Sequence, residues 1–353
     1  MTTGGILGLG AFLPAEIRGN DWWTEAQLRA WPRPAGPPQL PADASPAARR
    51  VFTAMSTYAR DPFQGIRERR IADPTLSPTE LEAIAAERAL AQAGVSRDEI
   101  DLLLVHTAVP DYLFSNTGAI LHERLGLPRV CLTLQIDASA YSFLGQLATA
   151  NQWIASGVAR HALLVQSSVA SRLVEPTNPA SVFFGDAATA IVVGQVDAPQ
   201  ILAATHRTDG RFPKTAIASV PGGRWYDGKP IAHVADPAGA FRVFLDTVDC
   251  ALDVVPDALA KAGLTARDVT FFGVHQGTPW LRAMTQEALG LEAARTVDLF
   301  ATTGYVFASS IPLVLETAHA SGSLVAGDVV VLFGGGTGAT YGATVLRWPE
   351  LRR

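Results

Sequence analysis

Cysteine and long apolar runs are both scarce in this sequence. Only two cysteines occur among 353 residues, Cys131 within a predicted strand and Cys250 within a predicted helix. Two thiols placed in this way supply neither a disulfide framework nor the ligand spacing of a metal site. No apolar run approaches the ~20 residues of a membrane span, and no basic signal segment follows Met1. We therefore expect a cytoplasmic protein that holds no metal.

Charged residues are also few, at 17% of the sequence, and their sum is a net charge of −5. An acidic balance without a basic tract is not typical of a protein that binds nucleic acid or a membrane surface. Hydrophobic residues make up 48% of the chain. Over this length, such a composition indicates a core-rich enzyme, built either as two domains or as one large α/β unit.

Apolar strands alternate with helical patterns, which is typical of parallel sheets covered by helices on both faces. A first series has predicted strands at 6–13, 101–109, 131–137, 161–168 and 189–195, with helices at 78–93, 116–125 and 143–156. The helix at 78–93 has the most complete start signal. Ser77, Pro78 and Glu80 supply an N-cap, a first-turn proline and the glutamate of a capping box.

A second series follows the same plan. Its predicted strands lie at 201–206, 269–274, 295–300, 329–333 and 339–347, and its helices at 238–262, 279–289 and 310–321. A weak internal repeat relates residues 184–193 to residues 335–345, since each runs from a glycine turn through small residues into an apolar strand. We predict two halves, residues 1–196 and 197–353, with a site between them at the carboxyl ends of strands.

The segment from about 31 to 62 interrupts the first half with closely spaced prolines. Such spacing excludes a helix interior or a central strand, so it predicts an extended loop followed by a short helix near 47–58. The segment could be a lid or a passive surface excursion, and both interpretations stay open.

The heptapeptide 138–144 links a predicted strand to a predicted helix and is a place where a nucleophile would be expected. A side chain on such a turn lies at the positive end of the helix dipole, where a thiolate is stabilised. The sequence offers Ala140 there, flanked by Ser139 and Ser142.

His275 directly follows the apolar strand segment 271–274. An imidazole in that position could be a general base, an oxyanion donor or a structural residue. The glycine-rich run 333–342 follows another buried strand and would let backbone N–H groups approach a ligand. It lacks the lysine of a phosphate loop and the spacing of a dinucleotide fingerprint. His106 and His206 also end apolar strands, and either could face a pocket or be structural.

Five short motifs, in order, resemble those of the β-ketoacyl-acyl-carrier-protein synthase III group of the thiolase superfamily. They are residues 65–71, 184–188, 275–276, 304–312 and 334–337. The resemblance spans nearly the whole chain and implies a duplicated five-layer α/β/α/β/α fold. It also implies a homodimer, an acyl thioester of coenzyme A or an acyl carrier protein as substrate, and no tightly bound cofactor.

The resemblance also implies site residues. The family's nucleophilic Cys falls on Ala140 when its Cys-x-x-Phe is laid over 140–143, and on Ser139 when the alignment is anchored upstream. The family's catalytic His falls on His275, and the Asn of its Gly-Asn-Thr-Ser motif falls on Tyr305. Backbone N–H groups near the turn and at Gly335 and Gly336 would bind the oxyanion. Ser142 and Phe307 are further candidates for substrate contact.

Three interpretations of position 140 follow. In the first, the natural protein has Cys there and this sequence carries a Cys-to-Ala change that removes covalent catalysis. In the second, Ser139 or Ser142 is the nucleophile, activated by His275. In the third, the chain is a catalytically silent partner subunit that binds an acyl ligand.

Tyr305 bears on the type of reaction, because decarboxylation of a malonyl thioester needs paired donors for the enolate oxygen. Its presence favours acyl transfer to a small acceptor in polyketide or other natural-product biosynthesis over decarboxylative condensation, which is the alternative. The family's adenine-binding Trp and Arg fall near Ala59 and Phe63. This departure favours a carrier-protein donor over coenzyme A.

Overall fold

The computed structural model describes residues 3–31 and 39–352. In chain order, its strands are β1 (Thr3–Phe12), β2 (Glu16–Gly19), β3 (Glu68–Ile71), β4 (Leu102–Thr107), β5 (Leu132–Gln135), β6 (His161–Ser168), β7 (Ala187–Val196), β8 (Ile201–Thr208), β9 (Ile217–Ser219), β10 (Ile231–His233), β11 (Phe271–Val274), β12 (Val329–Gly336) and β13 (Thr340–Arg347). Its α-helices are α1 (Glu25–Ala30), α2 (Pro46–Tyr58), α3 (Pro78–Ala93), α4 (Thr117–Leu125), α5 (Ser142–Ala155), α6 (Pro237–Lys261), α7 (Leu281–Ala288), α8 (Phe300–Thr303) and α9 (Ser310–Ala320).

Two larger sheets carry the fold. The first has the strand order β1-β7-β6-β4-β5, and the second has the order β11-β12-β13-β8. β4 is parallel to β5 and β6, and β11 is parallel to β12. The other neighbours are antiparallel, so the prediction of parallel sheets was wrong for them. One cause is the link between β12 and β13, which is too short for the crossover that parallel strands require.

Helices α5 and α9 lie between the two sheets. Leu144 of α5 and Val314 of α9 share one buried apolar cluster with Leu164 of β6 and Leu332 of β12. Helices α3 and α4 cover the outer face of the first sheet, and α6 and α7 cover the outer face of the second. The predicted five-layer α/β/α/β/α fold of the thiolase type is confirmed.

The predicted strand at 295–300 was wrong. Only Arg295 pairs as a strand residue, in a single bridge to Phe271. The segment binds a side chain instead, because the Gln276 amide donates to the Val297 carbonyl oxygen and accepts from the Leu299 N–H. Backbone groups satisfied in this way have no need of a sheet partner.

The proline-rich segment is described only in part, since residues 32–38 lie outside the described ranges. The predicted short helix is α2, whose first turn is capped by the Ser45 hydroxyl, an acceptor for the Ala48 N–H. Val51 of α2 and Val248 of α6 belong to one buried cluster, so α2 packs on the outer helices of the second sheet. The two interpretations of the segment, a lid and a passive surface excursion, both stay predictions.

Shorter elements escaped prediction, including the β2–β3 and β9–β10 pairs and helices α1 and α8. Cys131, placed within a predicted strand, lies just before β5. Across residues 3–31 and 39–352, none of the helices has the length and apolar character needed to cross a membrane.

Candidate active site

The turn that precedes α5 is built from its own backbone and two short polar side chains. β5 ends at Gln135, and residues Ser139–Tyr141 form a 3-10 turn that leads into Ser142. The Ser142 hydroxyl donates to the Ser139 carbonyl oxygen (2.7 Å) and accepts from the Ala138 N–H (2.8 Å). Asp137 accepts the Ser139 N–H at 2.9 Å. The Ser142 hydroxyl is therefore engaged as a cap of the turn.

Ser139 has a φ of 53°, a left-handed conformation that L residues rarely adopt. Its side chain is half-buried, whereas Ala140 is only 2% exposed. The methyl group of Ala140 thus occupies a buried position on a strained turn. Strain of this kind persists only where surrounding contacts impose it, and it is found frequently at functional sites.

Gly336 is the closest neighbour of this turn from the second sheet. It is the last residue of β12, so the first four residues of the glycine-rich run belong to a strand. A methyl group on Gly336 would lie 2.2 Å from the Ala138 carbonyl oxygen and 3.1 Å from the Ala140 nitrogen. Only glycine allows this approach. Gly335 faces the other way, toward Tyr341, and the structure does not bring it to the turn.

His275 lies beside the same strand, β12. Its N–H donates to the Phe333 carbonyl oxygen (2.9 Å), which fixes the residue at the end of β11. Its Cβ lies 3.6 Å from where a Gly334 side chain would begin. Gly334 and Gly336 share one face of β12, about 7 Å apart by strand geometry. The structure therefore brings His275 and the turn to neighbouring positions along one strand.

The His275 imidazole is buried, with 6% of the residue exposed, and no described residue bonds to its Nδ1. Burial lowers its pKa to about 4. The ring is therefore neutral near pH 7, as a general base must be before it accepts a proton. A side chain at Gly277 would lie 3.1 Å from Nε2, so this glycine leaves that nitrogen accessible.

A cluster of three aromatic side chains meets the imidazole through Tyr305. Tyr305 meets the His275 ring, and its own ring centroid lies 4.4 Å from that of Phe307. Phe307 stacks on Phe184, with centroids 5.9 Å apart and planes inclined by 11°. Burial raises the pKa of the Tyr305 phenol above its ordinary value, so it stays protonated. The surroundings of His275 are apolar and hold no carboxylate bonded to it in the described part of the chain.

The predicted site residues thus separate into two groups. Ala140, Ser139, Ser142 and Gly336 meet at the turn, and His275, Tyr305 and Phe307 meet beside it. Phe184 was seen in the sequence only as part of a turn motif, and nothing in its spacing indicated that its ring packs on Phe307 and Tyr305. His206 is exposed on β8, away from both groups, whereas His106 is buried at the end of β4.

The polar atoms assembled here are a neutral imidazole, a phenol and backbone N–H groups. They could orient an acyl carbonyl, stabilise an oxyanion and take a proton from an attacking hydroxyl. Over residues 3–31 and 39–352, no three His, Cys, Asp or Glu residues come together as a metal site would require.

Comparison with known proteins adds independent findings. The family described as 3-oxoacyl-[acyl-carrier-protein] synthase III matches residues 134–210, and its C-terminal family matches residues 259–348. The β-ketoacyl-[acyl-carrier-protein] synthase III of Neisseria meningitidis serogroup A is 34% identical over 289 residues, which cover 80% of this chain and 88% of that protein.

Solved structures agree in fold. The 3-oxoacyl-(acyl carrier protein) synthase III of Pseudomonas aeruginosa superposes with a TM-score of 0.80 at 27% identity, covering 99% of this chain and 100% of the other. The priming β-ketosynthase of the R1128 polyketide pathway superposes with a TM-score of 0.81 at 25% identity, covering 98% and 96%.

Proposed function

Because this chain belongs to the 3-oxoacyl-[acyl-carrier-protein] synthase III family, we propose that it is an acyltransferase that moves an acyl group from a thioester to a small acceptor. The observation that carries the choice of reaction is Tyr305 beside His275. The family resemblance places an Asn there, as the second donor to an enolate oxygen. A bulky phenol in its place favours acyl transfer over decarboxylation.

In the proposed reaction, residue 140 is the covalent site and is a cysteine in the natural protein. The thiolate at that position attacks the thioester carbonyl, and the bond from that carbon to the carrier sulfur breaks. The acceptor hydroxyl then attacks the acyl-enzyme while His275 takes its proton, and the protein thiol leaves. Backbone N–H groups near Ala140 and Gly336 bind the oxyanion. The substrate is an acyl thioester, and no tightly bound cofactor is required.

Three other interpretations each have an observation in their favour. A serine nucleophile is favoured by Ser139, whose hydroxyl takes part in no hydrogen bond within the described ranges, whereas that of Ser142 is engaged. A catalytically silent partner subunit is favoured by Ala140 itself. Decarboxylative condensation stays an alternative, because the curated relatives are named β-ketoacyl synthases.

The donor we propose is an acyl carrier protein. The family resemblance puts the Trp and Arg that hold the coenzyme A adenine near Ala59 and Phe63. The Phe63 ring packs against Trp23, with centroids 5.7 Å apart, and Ala59 offers only a methyl group. A phosphopantetheine arm needs no adenine site. The proposed reaction belongs to natural-product biosynthesis in the cytoplasm, with sugars or other small alcohols as acceptors.

We also propose a homodimer of chains that each contain two halves, residues 1–196 and 197–353. β5 is the edge strand of the first sheet. Its first residue, Leu132, is 46% exposed, and Val130, two residues earlier, is 81% exposed. The segment Tyr112, Leu113 and Phe114 adds three more exposed apolar side chains. Apolar surface next to an unpaired strand edge is typical of a subunit interface.

The test is intact-protein mass spectrometry of this chain and its Ala140→Cys variant after incubation with a panel of carrier-protein and coenzyme A acyl thioesters. We expect an adduct on the variant alone, followed by transfer to an alcohol without release of carbon dioxide. An adduct on the unchanged chain that Ser139→Ala abolishes would establish serine instead. Release of carbon dioxide would favour condensation, and labelling of neither protein would favour the silent subunit.

A further inference from the structure

His106 and His275 occupy equivalent places in the two sheets. In the first sheet, β4 is the fourth strand counted from β1 and is parallel to the third, β6. In the second sheet, β11 is the fourth strand counted from β8 and is parallel to the third, β12. Residues 103–107 read Leu-Leu-Val-His-Thr, and residues 272–276 read Phe-Gly-Val-His-Gln. His106 pairs with Gln166 near the end of the β4–β6 pairing, and His275 directly follows the last residue of the β11–β12 pairing.

The turns before α5 and α9 are equivalent in the same way. Each is a 3-10 turn whose first residue has a left-handed φ, 53° at Ser139 and 50° at Phe307. The turn before α5 contains Ala140, the proposed covalent site. The imidazole of the first sheet is therefore placed near this turn by the same plan that places His275.

Strand alternation directs the His106 ring toward the middle layer. Leu104 belongs to the cluster that contains α5, whereas Val105 belongs to the outer cluster with α3 and α4. Thr107 points outward as well, since its hydroxyl donates to Glu82 of α3. His106 must then face inward, toward α5.

The ring is 3% exposed, and neither of its nitrogens has a hydrogen-bond partner in the described structure. The Asp137 carboxylate approaches the ring, and its Oδ1 lies 3.4 Å from Nδ1. The polar neighbour Gln166 is already engaged by Gln146 and Thr189. Buried imidazoles without any partner are rare, so a small shift that closes the gap to Asp137 is the favourable outcome.

Asp137 connects this ring to the turn, because the same Oδ1 accepts the Ser139 N–H at 2.9 Å. We propose that His106 and Asp137 act as a positioning pair, in which the imidazole donates from Nδ1 to the carboxylate and the carboxylate holds the Ser139 N–H, so that the neighbouring Ala140 N–H is directed at the substrate carbonyl oxygen. The last step rests on the proposed acyl transfer, whereas the chain of hydrogen bonds does not.

The charge states agree with this arrangement. Burial lowers the pKa of His106, and the Asp137 charge opposes that effect only in part. A neutral ring has a single N–H, and the pair requires that proton on Nδ1. Asp137 is 67% exposed as a side chain and would otherwise have little to fix its rotamer. The buried ring supplies that constraint for the strained Ser139 backbone.

The first test is the tautomer. In the full chain labelled with ¹⁵N-histidine, the His106 signal is identified by its loss in His106→Asn. We expect the Nδ1–H form, with a shift of this signal in Asp137→Ala and none in Asp253→Ala, a surface control. An Nε2–H tautomer, or a signal that ignores Asp137→Ala, would overturn the pair whether or not the chain transfers acyl groups.

The second test measures acylation by a carrier-protein thioester in the Ala140→Cys background. The amide donor of Asn lies near the position of Nδ1, whereas that of Gln lies near the position of Nε2. His106→Asn should therefore retain the acylation rate. His106→Gln and His106→Leu should lower the rate about tenfold, as the loss of one buried hydrogen bond implies. Combining Asp137→Ala with His106→Leu should lower the acylation rate no further than His106→Leu alone does. His206→Leu is the exposed control.

Equal rates for the His106→Asn, His106→Gln and His106→Leu variants, or additive losses with Asp137→Ala, would overturn the positioning role. If the Ala140→Cys parent itself is not acylated, the proposed function fails. The tautomer test then still decides whether the pair exists.

Discussion

The His275 ring meets the Tyr305 ring edge to face, with centroids 5.4 Å apart and planes inclined by 79°. Edge-to-face pairs contribute about 0.5–1.5 kcal/mol beyond the area they bury. Tyr305 therefore orients the imidazole, and in the proposed function it takes the place of the family's second hydrogen-bond donor. In the proposed function, one residue, Tyr305, therefore both holds the general base His275 in place and favours acyl transfer over decarboxylation.

Replacing Tyr305 with Asn should permit decarboxylation. In the Ala140→Cys background, we expect Tyr305→Asn to release carbon dioxide from a malonyl thioester at least about tenfold faster than the parent, because an amide N–H can stabilise the enolate oxygen. Tyr305→Phe keeps the ring and removes only the hydroxyl, so it is the matched control. Equal release by all three proteins would contradict the role given to Tyr305.

Gly336→Ala should disrupt the turn, since the added methyl group would lie 2.2 Å from the Ala138 carbonyl oxygen. We expect a stability loss of about 1–3 kcal/mol and an acylation rate in the Ala140→Cys background at least about tenfold lower. Gly335→Ala is the control, because its methyl group would meet the Tyr341 Cβ at an ordinary 3.4 Å. Equal behaviour of the two variants would show that the close approach has no function.

The burial of His275 predicts an acid-sensitive contribution to stability. Burial lowers its pKa to about 4, whereas an unfolded histidine titrates near ~6.5. As the pH falls through this interval the unfolded chain takes up the proton first, so the contribution is complete above pH ~6.5 and is lost toward pH 4. Its size is up to ~3 kcal/mol.

His275→Gln should accordingly flatten the pH dependence of the unfolding free energy between pH 4 and 7, measured by urea titration. The buried His106 titrates in the same direction and will leave part of the slope in place. An unchanged slope in the variant would mean that His275 is hydrated in the folded protein.

Glu82 should contribute to the pH dependence of the unfolding free energy with the sign opposite to that of His275. It is buried beneath the first sheet, where the Thr107 and Ser167 hydroxyls donate to one carboxyl oxygen, and burial raises its pKa to about 7. Its folded pKa lies above the unfolded value of ~4.3, so the stability associated with the protonated carboxyl is lost as the pH rises through 7.

Glu82→Gln keeps an acceptor for both hydroxyls and cannot ionise. We expect it to be near neutral at pH 5 and to stabilise the protein at pH 8.5 by about 1–3 kcal/mol. Glu82→Leu, which leaves both hydroxyls without an acceptor, should destabilise at both pH values. A Gln variant that is equally affected at pH 5 and 8.5 would indicate that Glu82 stays protonated throughout.

The exposed apolar surface predicts the oligomeric state. Leu132→Arg places a charge on the edge strand β5 and should convert a dimer into a monomer in light-scattering measurements of mass. Val325→Arg is a control, because Val325 is 43% exposed and lies in the loop between α9 and β12, a strand of the second sheet. A wild-type monomer, or a dimer that tolerates Leu132→Arg, would exclude this face as the interface.

Local signals in the sequence were sufficient for many elements. The helix at 78–93 was predicted with its observed bounds, because the Ser77 hydroxyl and the Glu80 side chain form the expected capping box and Gly94 ends the helix at a φ of 66°. β6 was predicted with its observed bounds too, since its central residues 162–165 form a buried apolar run. The order of motifs also indicated the layered fold.

Long-range contacts were beyond such reasoning. The segment 295–300 has the alternation of a strand, but its backbone groups bind the Gln276 side chain, which is distant in sequence. The contact of Asp137 with His106 and the packing of Phe184 on Phe307 likewise join separate strands and turns. Only the tertiary structure brings such residues together.

The approach of Gly336 to Ala138 has a consequence for folding. The turn belongs to the first series of elements and Gly336 to the last long strands, so the two sides of the site are nearly 200 residues apart in synthesis. Neither segment alone can create the site. Activity should therefore emerge in one cooperative step, when the second sheet closes over the middle helices, and a nascent or truncated chain should bind no acyl group there.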